Sequence, residues 1–337
     1  MITLKQIAAE CNVSVASVSK ALNNLSDISP ATAERIKNKA RELGYYPNSA
    51  ARALKTSRSN NIGVLFVDAT HSGLTHEYFA DVLDAVKTAA ESAGYDVTFI
   101  SSNLGGSTMS YYEHCKYRNC DGVIIASVDF SDVGVIELAN SEIPIVTIDY
   151  SFKGKSSVMS DNYRGMTDLV SHIYDMGHRK IAFIHGEMTA VTKKRIDGFR
   201  DFCMERDIFK GEYLIPGAYH DPKTSGKATR VLMNSQDSPT CIIYPDDISM
   251  LGGMTELNAK GLSIPDDISV AGYDGISMSR ILRPVLTTLR QNSRELGTKA
   301  VELLVHQIEN PTDFTPSCEI VKGFLQIGET VKAIEAN

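Results

Sequence analysis

Apolar residues at Leu4, Ile7, Ala8 and Cys11 recur every three to four positions and predict a short amphipathic helix. Asn12 follows, a residue that tolerates the left-handed conformation of a tight helix end. Ser14 is suited to cap a second helix that carries Val18, Ala21 and Leu22 on one face. Ala8 is small where the two helices must approach, and the pair reads as a helix-turn-helix. A third helix is expected to open at Ser29 and Pro30, to turn Ala33, Ile36, Ala40 and Leu43 inward, and to stop at Gly44. Beyond Pro47 the rhythm weakens. Asn48 can cap a segment, Ser49 to Lys55, that is rich in helix formers. About two turns of helix are marginal alone in water, so something else must order them.

From Ile62 the period changes. Short apolar runs at 62–67, 96–100, 122–126 and 144–149 are separated by longer segments. The first of these is amphipathic, with Phe79, Val82, Leu83, Val86 and Ala90 on one side. A second series follows at 180–186, 213–217, 241–247 and 268–274. Apolar strands spaced by helices predict parallel, doubly wound sheets. The repetition predicts two similar α/β subdomains behind the all-α head. Asp149 and Asp274 close the last strand of each series, and Asp246 and Asp247 close another. Ligands in open α/β sheets bind beyond the carboxyl ends of the strands, so these acids are expected to face one small molecule across a cleft. Asp247 reads as a helix cap.

Charge divides the chain in the same place. Residues 1–60 carry nine Lys/Arg against four acids, a surplus of +5. The other 277 residues carry 25 against 37, a deficit of −12. A basic head on an acidic body implies that the head alone meets a polyanion. The exposed face expected for the second helix, Val15, Ala16, Ser17, Ser19 and Lys20, suits double-stranded DNA. The serines reach phosphates or bases, Lys20 a guanine acceptor, and Val15 and Ala16 a thymine methyl.

Other chemistries find little support. No apolar run approaches the ~20 residues of a membrane span. The start, MITLKQIAAEC, lacks the apolar core of a signal peptide, so a cytoplasmic location is expected. Cysteines 11, 115, 120, 203, 241 and 318 include one near pair and no second, and read as reduced thiols rather than a zinc site. His71, His76 and Glu77 read as a solvated loop rather than a metal site. No Gly-rich phosphate loop, HExxH or GxSxG appears, so neither catalysis nor a cofactor is expected. An enzyme with a DNA-binding head is the weaker reading, and turnover of candidate sugars would reveal it.

The stretch TLKQIAAECNVSVASVSKALNN, with ISPATAERIKNKARELGYYPNSAARALK after it, resembles the head of the LacI/GalR family of bacterial regulators. The resemblance runs to about residue 330. It implies a repressor with a periplasmic-binding-protein-like core, controlled by a small-molecule effector, a sugar or sugar derivative or else a nucleoside. It implies domains at 1–46, a hinge at 47–60, one core subdomain at 61–160 plus 291–320, and another at 161–290 plus 321–332. The implied DNA contacts are Thr3, Ser14, Val15, Ala16, Ser17, Ser19, Lys20, Asn23, Tyr45, Asn48, Ala51, Leu54 and Lys55. Leu54 would wedge into the minor groove from a hinge helix that forms only on DNA. Lys20 departs from the arginine usual at that position. The implied effector contacts are Tyr78, Phe79, Asp149, Arg195, Asp246, Asp274 and Gln291. Position 246 is often Asn in the family, and an Asp there favours a hydrogen-bond donor on the ligand. One recognition helix reads few bases, so a homodimer on a near-palindromic operator is expected. The tail TVKAIEAN has no leucine heptad that would assemble a tetramer.

Overall fold

The computed structural model describes residues 2–22, 27–46, 58–67 and 73–335. The chain divides into two units, Met1–Asn60 and Asn61–Asn337.

The head holds α1 (Leu4–Glu10), α2 (Val15–Leu22) and α3 (Pro30–Glu42). Thr3 and Gln6 form a capping box at the start of α1, Ser14 Oγ accepts from Ser17 N at 3.0 Å at the start of α2, and Ser29 caps α3 with Pro30 behind it. Asn12 adopts φ 50°, so the chain reverses between α1 and α2. Ile7, Ala8, Cys11, Val18, Ala21, Ile36 and Ala40 form the core of the head. The expected stripes and stops are therefore observed here.

The second unit begins with β1 (Asn61–Phe66), α4 (Glu77–Ser92), β2 (Asp96–Ile100), the small hairpin β3 (Asn103–Leu104) and β4 (Ser107–Thr108), and α5 (Tyr111–Tyr117). It continues through β5 (Gly122–Ala126), α6 (Val133–Asn140), β6 (Ile145–Ile148) and β7 (Ser156–Ser160). Next come α7 (Asn162–Asp175), β8 (Ile181–His185), α8 (Ala190–Met204), β9 (Leu214–Pro216) and α9 (Pro222–Met233). After them lie β10 (Cys241–Ile243), α10 (Asp247–Ala259), β11 (Ser269–Asp274), the single turn α11 (Met278–Ile281) and β12 (Thr287–Arg290). The last elements are α12 (Ser293–Glu309), β13 (Cys318–Val321) and β14 (Phe324–Gln326).

The strands form two six-stranded sheets, ordered β13-β7-β6-β5-β1-β2 and β14-β12-β11-β10-β8-β9. All pairings within them are parallel except β12 with β14. The orders superimpose, so β6 and β11 hold equivalent places in the two lobes. The chain passes between sheets at Asp161, at Gln291–Asn292 and at Lys322–Gly323. Each sheet carries an apolar cluster on both faces, as parallel sheets require. In the first lobe α12 lies so close on α4 that a Cβ at Gly297 would meet Val82 O at 2.4 Å.

Several strands are shorter than their apolar runs. The run at 213–217 contains the end of a 3-10 turn, Gly211–Tyr213, and three residues of strand. The run at 241–247 ends its strand at Ile243, because Asp246 caps α10. The cap is thus Asp246 and not Asp247. Among the described residues no helix is long and apolar enough to cross a membrane.

Candidate functional site

Asp149 follows β6 and Asp274 ends β11, the matched strands of the two lobes. Both have positive φ, 59° and 98°, a region that non-glycine residues seldom occupy and that is concentrated at functional sites. Asp149 accepts from Ser160 N at 2.7 Å and Ser160 Oγ at 3.2 Å, and the Tyr78 hydroxyl lies 3.5 Å from it. Asp274 accepts from Gln291 Nε2 at 2.7 Å, and Arg195 Nη2 stands 3.8 Å from it.

Arg195 projects from α8 and is 3% exposed. Its Nε donates to Asn162 Oδ1 at 2.8 Å and its Nη1 to Pro245 O at 3.1 Å. Its guanidinium stacks 3.6 Å from the Tyr273 ring centre and 5.8 Å from that of Tyr219. Asn162 in turn donates to Ser160 O at 3.2 Å. A polar chain therefore runs from Asp149 through Ser160, Asn162, Arg195 and Asp274 to Gln291, and passes through the crossings at 161 and 291.

The lobes also meet directly. The rings of His76 and His220 are 3.6 Å apart, and Ser277 N donates to Glu77 Oε1 at 2.5 Å. His76 is buried, so the solvated loop expected there is corrected: aromatic packing against Phe79 and His220 removes the ring from water. His71 lies outside the described residues. Among the described residues no group of three or more His, Cys, Asp or Glu is placed to hold a metal ion.

Burial raises the carboxyl groups of Asp149, Asp246 and Asp274 above the ordinary carboxylate value. Ser160 opposes the shift at Asp149, the His220 charge opposes it at Asp246, and Arg195 opposes it at Asp274. Asp247 is pushed well above that value, by burial and then by the Asp274 charge. It accepts from Ile276 N and Thr288 Oγ1, and so ties the β11–α11 turn to β12. Asp246 accepts from Ser249 N, Ser249 Oγ and His220 N, so most of its hydrogen-bonding capacity is taken internally.

Of the effector set drawn from sequence, the structure gathers Tyr78, Asp149, Arg195, Asp246, Asp274 and Gln291 at the cleft. Phe79 is turned toward Phe66, 5.4 Å between ring centres, and packs on the core of the first lobe. Tyr219, His220, Tyr273 and Asn162 are also present, unanticipated from sequence. Tyr219, Tyr273 and Asn162 are revealed only by their nearness to Arg195 in three dimensions, and His220 by its contacts with His76 and Asp246.

In the head, Val15 and Ala16 are exposed, and Ser17, Ser19 and Lys20 are half-buried. Thr3 and Ser14 are engaged as caps, Ser17 Oγ lies 2.9 Å from Ser14 Oγ, and Tyr45 packs on the core of the head. Lys20 Nζ is 2.6 Å from Asp27. Asn23, Asn48, Ala51, Leu54 and Lys55 lie outside the described residues.

Residues 3–48 match the model of "Bacterial regulatory proteins, lacI family", and residues 170–331 that of "Periplasmic binding protein-like domain". A probable HTH-type transcriptional repressor, ExuR of Bacillus subtilis, is 30% identical over 316 residues, covering 92% of this chain and 93% of its own. The chain belongs to the lacI family. The HTH-type transcriptional repressor PurR of Mannheimia succiniciproducens is 29% identical over 314 residues, 91% of this chain and 92% of its own. Among solved structures, the lac repressor dimer bound to operator and the anti-inducer ONPF is 26% identical, with TM-score 0.81, over 98% of this chain and 99% of that one. A CelR–cellobiose complex shares the fold, with TM-score 0.71 at 23% identity over 98% and 100%. This lacI-family member is accordingly a DNA-binding transcriptional repressor.

Proposed function

We propose that this repressor is controlled by a neutral sugar held between the two core lobes. The carrying observation is the convergence of Asp149 from one lobe with Arg195 and Asp274 from the other and with Gln291 at the crossing between them. Carboxylates and a guanidinium bind vicinal hydroxyls in paired hydrogen bonds, and the rings of Tyr78 and Tyr219 suit the apolar side of a sugar ring. Acids outnumber the arginine at the centre of the cleft, which disfavours a phosphate or carboxylate ligand. Asp246 acts mainly by fixing the backbone of His220.

The subdomains are assigned as 61–160 plus 291–320 and 161–290 plus 321–332. The two sheets and the three crossings support that division. Val15, Ala16, Ser17, Ser19 and Lys20 face DNA, and Leu54 wedges into the minor groove. The protein works as a homodimer on a near-palindromic operator in the cytoplasm and turns over no substrate. The lac repressor, similar over nearly the whole chain and solved as a dimer on operator, supports the assembly. A nucleoside is the second reading, favoured by the aromatic rings around Arg195. Calorimetry with neutral sugars, uronates, phosphosugars and nucleosides tests the ligand class. Binding confined to anionic compounds would contradict it.

A further inference from the structure

Helix α5 ends in a Schellman turn. Asn119 has φ 50°, Cys120 N donates to Cys115 O at 2.9 Å, and Asn119 N donates to Lys116 O at 3.0 Å. This closure brings the side chain two places past the cap residue Arg118 back onto the last turn, where an apolar contact usually forms. Here both side chains are thiols, and Cys120 packs against the apolar cluster that contains Cys115. Cys115 is fully buried in the core of the first lobe, and Cys120 is partly exposed beside it.

The pair stands against the first residue of the core. Asn61 Nδ2 donates to Arg118 O at 3.1 Å and to Cys120 Sγ at 3.6 Å, and Asn61 Oδ1 accepts from Thr98 Oγ1 at 2.9 Å. Asn61 opens β1 and directly follows the linker that leads from the head. Whatever moves Cys120 Sγ alters the seat of the residue through which the linker enters the core.

We propose that Cys115 and Cys120 are a peroxide-sensitive dithiol, and that their oxidation to a disulfide changes operator affinity. The Cys120 sulfur attacks one oxygen of hydrogen peroxide. The O–O bond breaks, and the departing hydroxide leaves as water with the thiol proton. The resulting sulfenic acid is attacked by the Cys115 sulfur. The S–O bond breaks, and a second water departs with the Cys115 proton. Two thiols and one peroxide give one disulfide and two waters. Exposure makes Cys120 the first target. Its thiol is also lowered, chiefly by the neighbouring Cys115, against the opposing burial and Asp121, with Arg118 helping. The bridge repositions Cys120 Sγ onto Cys115 and so disturbs its contact with Asn61.

The test uses the full chain with the exposed Cys318 changed to Ser, treated with hydrogen peroxide and then alkylated. Peptide mass analysis is expected to show a Cys115–Cys120 disulfide, reversed by a dithiol reductant. Operator affinity of the oxidised protein is expected to shift by roughly fivefold or more and to recover on reduction. Cys120→Ala and, separately, Cys115→Ala should abolish that shift while retaining operator binding in the reduced state. Failure of the disulfide to form in the folded protein overturns the proposed site. A disulfide that leaves operator affinity unchanged overturns the proposed control.

Discussion

Lys20 is proposed to reach a base acceptor from α2, yet in the head it is bound to Asp27 at 2.6 Å. The two side chains keep 41% and 62% of their surface in water, so the pair adds little to stability. It does place a carboxylate beside a surface that must meet phosphates. Asp27→Asn is expected to leave the melting temperature nearly unchanged and to raise operator affinity by about two- to tenfold. Fluorescence anisotropy across a salt series would register the gain, and unchanged affinity would mean that Lys20 does not approach DNA. A sequence shows that Lys20 and Asp27 are close along the chain, but not that they pair. The same limit produced the exchange at 246 and 247. Either aspartate could precede the helix, and only the observed backbone makes Asp246 the cap and buries Asp247 beneath Thr288.

At the scale of elements, apolar runs made most of the first-lobe strands legible, because buried parallel strands are continuously apolar. The strands β7 and β12 escaped notice for a related reason. Their buried positions include Ser156, Ser157, Thr287 and Thr288, whose hydroxyls break the apolar signal; those of Ser156, Thr287 and Thr288 find partners inside the fold. Close packing of α12 on α4 was equally hidden, since a glycine in a helical pattern reads first as a weakness. Gly297→Ala is expected to overpack that contact and to cost about 1–3 kcal/mol in urea unfolding. An unchanged midpoint would show that the two helices separate freely. In the second lobe, His178 joins Thr240 at 2.8 Å to Lys332 O at 3.1 Å. Burial lowers its imidazole below the ordinary 6.5, against the opposing Lys332 carbonyl. The folded form thus holds that proton less readily than the unfolded chain. Its contribution is complete above about pH 6.5 and is lost as pH falls through the lowered value. Wild-type urea midpoints between about pH 7.5 and 5 should decline more steeply than those of His178→Gln. Parallel declines would remove His178 as the cause.

For the whole molecule, the family, the two-part division and the repeated sheets were legible because each leaves a long-range pattern: a shift in charge, a change of period, a repeated strand series. The cleft was only half legible. Acids at strand ends could be read, but not the chain of Ser160, Asn162 and Arg195 that links them to the crossings between lobes. That chain gives the proposed control its physical route. A sugar bridging Asp149 and Asp274 stabilises one relative angle of the lobes, and it shifts DNA binding only by its differential affinity for the two angles. The coupling expected is ~1–3 kcal/mol, roughly 5–150-fold in operator affinity. The most direct measurement is operator affinity with and without the sugar found by calorimetry, for wild type and for Asp274→Asn, which keeps the side-chain shape and removes the charge facing Arg195. The variant is expected to bind operator as wild type does without sugar and to lose the sugar response. A response of wild-type size in Asp274→Asn would contradict the cleft as the site of control.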